Sequence, residues 1–575
     1  MKKNPLILAI PAIIFTTIVT SQIPSFAQES PGQGIGPSAE RFKKESEQLQ
    51  KDLQQKEVTP PKIKIEEPKS QAVPEGVSFT LKEVTVTGST LFKPEVFTPI
   101  YSPYLEKTVN YKDLDDIMTK IKAKYKELGY LTTTAYLPEQ DITGGKIEIK
   151  IIEGKMGDLS IEGSKYFKNS LIKSYIHVKK NELLNINTLQ RDILRINKNP
   201  DLNLGTVISA GKEPETSDIT LKATEKFPYH FGVGWDTLGT RLIGKDRKSV
   251  WVRSTNLGDN ELLFVSAQFT KSSSGEFLSY VFPMGTYGRT AGIDLTYYEM
   301  KNGKEFKLLD ITGQTFGLTP HVSQELSLSE RYQAQMDLGL EIKSITKKIG
   351  LRESSDDQLR LPYLGFNFSK LDSLFGGGQT VFAPKWTFGT SNFLGASTRN
   401  HPSASRANTG GFWARYEMGL QRVQRLPFES RLSLNAQYQA ASHTLPSSEQ
   451  FQIGGANTVR GYPEGDYLAD RGYFASAEWT TPMYLIPKKW KVIGQETPLR
   501  YLIEPVFFAD VGQGTLKKII PGELKTKFLL GYGVGLRIRA IKGAYFRLDW
   551  AMRRGDAPTS NSGRSTFNFS FQYDI

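Results

Sequence analysis

From Phe227 to the C-terminus the chain alternates apolar and polar residues for ten or more positions at a time, and that length restricts its fold more than any other feature. Tyr332, Ala334, Met336, Leu338, Leu340 and Ile342 alternate with Gln333, Gln335, Asp337, Gly339, Glu341 and Lys343. Leu432, Leu434, Ala436, Tyr438 and Ala440 alternate with Arg431, Ser433, Asn435, Gln437 and Gln439. Phe528, Leu530, Tyr532, Val534, Leu536, Ile538 and Ala540 share one face, Gly531, Gly533, Gly535, Arg537 and Arg539 the other, and the chain ends Phe567, Phe569, Phe571, Tyr573, Ile575. A soluble sandwich alternates too, but its strands run about 5–6 residues, whereas a tilted membrane strand needs about 9–11. One apolar, aromatic face and one polar, charged face describe a membrane β-barrel with a wet lumen. No segment beyond the N-terminus holds 18 consecutive apolar residues. Membrane insertion must therefore use antiparallel strands closed into a barrel, the other structure that satisfies its backbone in lipid. Residues 227–575, at about 22 per strand and turn, accommodate about sixteen strands, within a range of about fourteen to eighteen.

The N-terminus reads as an export signal. Lys2 and Lys3 precede an apolar run from Leu6 to Val19, and Ser25-Phe26-Ala27 supplies small residues for cleavage after Ala27, which makes 1–27 a signal peptide. The run holds Pro11 and is shorter than the ~20 apolar residues of a spanning helix. Residues 28–37 are rich in Pro, Gly, Ser and Gln, and Ser38 to Glu57 then forms a helix with Ser38 as its N-cap. Phe42, Leu49 and Leu53 make only a narrow apolar stripe among balanced acidic and basic residues. Such a helix cannot drive its own burial in an apolar core; it is either a solvated tail or a helix residing in a watery, charged space such as a pore. Pro60, Pro61, Pro68 and Pro74 make 58–76 an extended linker.

Next comes an internal repeat. Val84, Val86, Gly88, Ser89 and Phe92 are echoed about 75 residues on by Leu159, Ile161, Gly163, Ser164 and Phe167. Each copy reads strand, helix, helix, strand, with modules at 77–154 and 155–226. In the first, Leu114, Ile117, Met118, Ile121, Tyr125 and Leu128 recur at helical spacing behind an Asn110 cap, and Ile147, Ile149 and Ile151 alternate as a strand. In the second, Asn187 and Gln190 suggest a capping box for a helix carrying Leu189, Ile193 and Ile196, and Ile219 and Leu221 open the closing strand.

Composition narrows the chemistry. Lys and Arg number 73 against 60 Asp and Glu, and the net charge of +13 suits a polyanion binder, a membrane-surface protein or a basic lumen without choosing among them. The chain has no cysteine, and His177, His230, His321, His401 and His443 are too scattered for a sequence-local metal cluster. Gly239 to Lys245 mimics half of a phosphate-binding loop, but Asp246 stands where Ser or Thr would hold Mg²⁺ and no amphipathic helix follows. Gly531, Gly533 and Gly535 mimic a dinucleotide fingerprint but alternate on a strand, where they clear space on the lumen face. No catalytic constellation stands out, so no enzyme, cofactor, metal or nucleic-acid partner is expected.

One stretch, 442–472, breaks the alternation without visible secondary structure, and a connection of that length is usually functional or disordered. At its centre stand Val459, Arg460, Gly461 and Tyr462. If the loop folds into the lumen, Gly461 permits a tight bend and Arg460 requires a carboxylate, since an unpaired, partly desolvated guanidinium is costly. Asp510, two residues after Phe508 on a nearby strand, is the expected partner. The alternative is a mobile extracellular loop.

The signal peptide, lone polar helix, linker, tandem modules, about sixteen strands, Val459-Arg460-Gly461-Tyr462 and Phe508-x-Asp510 together resemble a two-partner secretion transporter, the type that exports filamentous-haemagglutinin-like or haemolysin-like proteins. The resemblance implies a sixteen-stranded outer-membrane barrel, two periplasmic α+β POTRA (polypeptide-transport-associated) domains, the first helix plugging the pore and the long loop inside it. Its first-strand motif, Asp-Asn-x-Gly followed by Thr-Gly and a basic residue, falls on Asp236, Gly239, Gly244 and Lys245, with Thr237 and Ile243 as departures. The implied partners are a secreted exoprotein with an N-terminal secretion domain, outer-membrane lipid, and the barrel-assembly machinery, for which Phe571 and Tyr573 stand before a terminal Ile575. The implied function is ATP-free export of an unfolded exoprotein captured by the POTRA domains. The alternatives are an outer-membrane insertase of the same superfamily or a passive porin or nutrient channel.

Overall fold

The computed structural model describes residues 34–54, 63–65 (backbone only), 78–142, 144–302, 308–492, 495–539, 541–559 and 563–575. The signal peptide and most of the linker lie outside these residues. The C-terminal part is a closed barrel of sixteen antiparallel strands from Tyr229–Asp236 to Ser565–Asp574. The first and last strands pair along a short seam from Gly232 and Asp574 to Asp236 and Ser570. Side chains alternate as the period of two requires. Along Ile503–Thr515, Glu504, Val506, Phe508 and Asp510 are buried toward the lumen, while Phe507 between them is exposed on the outer face together with Trp479, Tyr532, Val534 and Trp550. The longest strand, Arg352–Asp372, has 21 residues, more than the ~9–11 a bilayer needs.

Both N-terminal modules carry more strands than the strand, helix, helix, strand reading: module 1 has three more, two of them the short pair Ser78–Thr80 and Thr108–Asn110, and module 2 has one more. In module 1 the sheet runs Glu83–Thr87, Lys146–Ile152, Thr134–Tyr136, beneath helix Tyr111–Glu127. In module 2 the extra strand is Leu202–Ala210, which forms a hairpin with Thr216–Glu225. Thr134–Tyr136 is three residues long, and Gly205 and Thr206 interrupt the apolar pattern of Leu202–Ala210, so alternation marks neither. Asn110 and Asp113 form the capping box of the first helix. In module 2 the cap is Asn185, whose side chain accepts from the Thr188 amide, rather than Asn187; Gln190 reaches Glu330 of the barrel instead. A glutamate closes each repeat at its third strand: Glu153 accepts the Thr90 and Leu91 amides, and Glu225 those of Lys165 and Tyr166. Burial alone raises the Glu153 carboxyl, but the Thr90 hydroxyl, the Leu91 amide and the Tyr125 hydroxyl donate to it and hold it below the usual carboxylate value.

The segment expected as linker adds a strand. Ile63–Ile65 pairs in parallel with Leu202–Ala210 and so covers that edge of the module 2 sheet. Module 2 is in turn clamped to the barrel. Arg195 and Lys198 sit 2.7 and 2.8 Å from Glu325, His177 is 3.0 Å from Thr286, and Asn199 donates to the Thr255 carbonyl at 2.6 Å. These contacts use one arc of the rim, the turns near residues 255, 286 and 325. Glu325→Gln weakens two charge-assisted bonds, each worth about 1.5–3 kcal/mol. Amide exchange across Ile186–Ile196 is then expected to rise about tenfold or more in the full-length protein; unchanged exchange would show that the clamp holds nothing.

Candidate functional site

The barrel lumen holds two inserted elements of the same chain. The first is the N-terminal helix, Ile35–Gln54. It starts three residues before the expected Ser38 cap: Pro37 lies in the first turn, where a missing N–H costs nothing, and the Ser38 amide already donates to the Gly34 carbonyl. Residues 55–57 of the expected helix lie outside the described residues. Ile35, Ala39 and Phe42 are buried against Trp251, Phe264, Phe277, Tyr298 and Met300 of the wall, with Leu49 and Leu53 packed at the edge of that cluster. The Phe42 ring lies 5.8 Å from that of Tyr298. Around this stripe four charged side chains of the helix meet opposite charges of the wall. Glu40 is 2.8 Å from Lys343, Lys43 is 3.3 Å from Glu341, Lys44 is 3.3 Å from Glu417 and Glu45 is 2.6 Å from Arg247. The lumen wall thus supplies the partners that a helix polar nearly all round needs.

The second element is the connection between strands Arg431–Ala441 and Arg471–Thr480, folded back inside. It is not free of secondary structure: Phe451–Ile453 and Tyr467–Ala469 pair as a short antiparallel hairpin, and Ser447–Glu449 makes a 3₁₀ turn. Three-residue strands carry no alternation signal. Packing holds them, with Phe451, Ile453, Val459, Tyr462 and Tyr467 buried against Phe474, Leu516 and Leu529.

At the tip of this loop the Arg460 guanidinium grips the wall. Its Nε and Nη2 donate to the two oxygens of Asp510 at 2.7 and 2.8 Å, and its own amide donates to the same carboxylate at 3.1 Å. This is the fork geometry in which an arginine–carboxylate pair is strongest. Nη1 reaches Glu478 at 2.8 Å, and the Phe508 ring lies 3.4 Å beneath the guanidinium carbon. The backbone approach is close. Gly461 adopts φ +92°, and a Cβ on Gly531 would sit 1.9 Å from the Arg460 carbonyl, so only glycine fits there. Val459 is fully buried, and the Tyr462 hydroxyl donates to the Arg554 carbonyl at 2.7 Å. Further back, Asp466 and Lys527 pair at 2.7 Å with both side chains fully buried, and Asp470 meets Arg406 at 2.7 Å.

The two inserts also hold each other. Lys343 binds Glu40 of the helix and, at 3.0 Å, Glu449 of the loop, which also takes Arg415 at 2.6 Å. Gln452 donates to the Pro37 carbonyl at 2.8 Å. The first-strand motif divides. Asp236 joins the helix through Arg247, 2.7 Å from the carboxylate, which bridges to Glu45. Gly239 and Gly244 serve the turn above it, where the Gly239 amide donates to the Lys245 carbonyl at 2.8 Å. Sequence reasoning missed Glu478, Lys343, Glu449 and the pair Arg537–Asp549, at 2.7 Å, beside Arg460. Strand positions mark all of them but Glu449, which lies in the loop, as lumen-facing, but nothing in the sequence says which charges meet across the lumen. The arrangement fills the lumen with two segments held by ion pairs and hydrogen bonds.

Comparison with known proteins accords with this architecture. Residues 79–154 match the family model of the POTRA domain, ShlB-type, and residues 215–538, more than half of the chain, match that of the haemolysin secretion/activation protein ShlB/FhaC/HecB. The chain is 25% identical over 481 residues to the outer membrane transporter CdiB of Dickeya dadantii, covering 81% of each protein. It is 24% identical over 428 residues to the heme/hemopexin transporter protein HuxB of Haemophilus influenzae, covering 70% of this chain and 73% of that one. The solved structure of CdiB from Escherichia coli superposes with a TM-score of 0.72 at 18% identity, covering 94% of this chain and 98% of the other. With its double module, sixteen strands and filled lumen, the chain belongs to the ShlB/FhaC/HecB family of haemolysin secretion/activation proteins.

Proposed function

We propose that this outer-membrane two-partner secretion transporter captures its exoprotein unfolded on the POTRA sheets and passes it through the barrel lumen without ATP, after the helix and the loop tip give way. The observation that carries this reading is the lumen itself. It is filled by two segments of the chain that are held by ion pairs to the wall, where Lys343 takes a glutamate from each, and not by side chains of the wall alone. A passive porin has no use for such closure, and an insertase has no use for a helix in its lumen. Burial in ion pairs gives little net stability over separate solvated charges, so the inserts can be exchanged for another polar, extended chain at modest cost.

Capture by strand addition has one condition. The Leu202–Ala210 edge, which an incoming segment could extend through main-chain hydrogen bonds, is covered by Ile63–Ile65. Those residues lie in the connection from the lumen helix to module 1, so a segment that displaces them acts on the tether of the helix. The Thr134–Tyr136 edge of module 1 has no strand beyond it among the described residues.

Two results follow from the closure. Deleting residues 34–54 removes the partners of Lys343, Glu341 and Arg247 and opens the lumen, so single-channel conductance in planar bilayers should rise severalfold. Equal conductance would mean that the helix does not obstruct the passage. Arg460→Ala orphans Asp510 at a cost of about 3–5 kcal/mol for a buried pair; the protein should still insert as a heat-modifiable barrel but lose most secretion, and Asp510→Ala should match it. The double variant should be no worse than either single, because the second truncation removes a group already orphaned. Additive losses, or wild-type secretion by Arg460→Ala, would remove the pair from the mechanism.

A further inference from the structure

On the module 2 side of the barrel, where turns are normally short, one connection is long: residues 481–502 between strands Arg471–Thr480 and Ile503–Thr515. Its described residues, 481–492 and 495–502, are held by backbone hydrogen bonds. The Leu499 amide donates to the Trp490 carbonyl at 2.7 Å, the Met483 amide to the Arg500 carbonyl at 2.9 Å, and Lys491 bridges Pro498. What it presents is unusual for a surface facing only water. Leu485 is 92% exposed and Trp490 55%, with Tyr484 beside them. Lys488, Lys489 and Lys491 are exposed between these apolar groups and pair with no carboxylate among the described residues. Arg500 lies 4.6 Å over the Tyr484 ring.

The neighbouring turns continue this surface. The Tyr484 hydroxyl donates to the Phe428 carbonyl, and Tyr501 donates to Glu429 at 2.7 Å. Phe428 is 84% exposed at φ +58°, and Phe375, in the next turn along the rim, is 87% exposed at φ +50°. Bulky residues rarely adopt this left-handed backbone, and here the cost places an aromatic ring at a turn tip. Module 2 docks on other turns, so among the described residues nothing of the chain covers this arc.

Position identifies the occupant. Trp479 and Phe507, directly paired on the two strands that the connection joins, stack at 5.4 Å on the outer face of the barrel. Aromatic residues at strand ends mark the level where hydrocarbon gives way to headgroups. The connection leaves the first of these strands one residue past that level carrying apolar tips interleaved with unpaired ammonium groups, a pattern that inserts side chains below the phosphates and sets cations against them. We infer that residues 481–492 and 495–502 form a binding site for anionic phospholipid headgroups of the periplasmic leaflet, which anchors this side of the barrel opposite module 2. The inference needs the outer-membrane location but not the transport reading, and its test involves no secretion.

The chain has no cysteine, so Leu485→Cys gives a single attachment point for an environment-sensitive nitrobenzoxadiazole label in the full-length protein. The protein is compared in nanodiscs of phosphatidylcholine alone and of phosphatidylcholine mixed with phosphatidylglycerol. With phosphatidylglycerol present the label should shift to the blue and its quenching by neutral acrylamide should fall at least about twofold. Changing Lys488, Lys489 and Lys491 to Glu should restore full quenching, with barrel folding checked by heat-modifiable migration. Equal quenching in the two lipid mixtures, or the same protection in the triple variant, overturns the inference. Protection that arises only when an unfolded secretion domain is added assigns the surface to a protein partner instead and overturns it as well.

Discussion

A sheet that crosses a bilayer has to pair every backbone amide within the protein, and closure on itself is the one way to do so. Sixteen strands meet that constraint and create another, since a barrel of this circumference encloses more space than its inward side chains can fill. Either water fills the lumen or further polypeptide does. Here the filling comes from residues 34–54 and 442–470, and its chemistry follows from the wall. Inward positions of membrane strands carry polar and charged groups, so whatever enters must match them charge for charge. Glu40, Lys43, Lys44 and Glu45 do so on the helix, and Glu449, Arg460, Asp466 and Asp470 on the loop.

That chemistry also sets how firmly the closure holds. An apolar plug of the same volume would be as stable or more so, but it would face water whenever it left the lumen. Ion pairs trade one set of partners for solvent at smaller net cost, while removing a single partner is severe because the other charge stays buried. In the proposed mechanism the closure is therefore specific and releasable together. Lys343 joins the two inserts through Glu40 and Glu449, so loss of the helix leaves the loop one cation contact to rearrange.

The barrel was the most legible part of the sequence because a period of two sustained over ten or more residues exceeds the strand length of soluble sheets, and no segment beyond the N-terminus holds 18 consecutive apolar residues. The Arg460–Asp510 contact also has a signal there: an arginine at the tip of an in-folded loop needs a carboxylate, and Asp510 lies on a lumen-facing position. Short-range features were less legible. Asn185, not Asn187, caps its helix because one N-cap candidate two residues from another cannot be ranked by residue type alone. The hairpin in the loop and strands Ile63–Ile65 and Thr134–Tyr136 are three residues each, too short for any periodicity. Glu153 and Glu225 escaped notice because the repeat declares itself in apolar and glycine positions. Contacts such as Lys343 to Glu40 join residues far apart in the chain, and only the closed lumen brings them together.

In the proposed mechanism the helix must leave the lumen for an exoprotein to pass. Ser46 of the helix and Ser266 of the wall lie with their hydroxyl oxygens 3.5 Å apart, and the chain offers no competing thiol. Replacing both by cysteine allows the helix to be tied to the wall by a disulfide in the intact transporter, with secretion of the partner exoprotein followed under oxidising and reducing conditions. The account predicts that secretion stops when the bond forms and resumes when it is reduced. Undiminished secretion by fully cross-linked protein would contradict it.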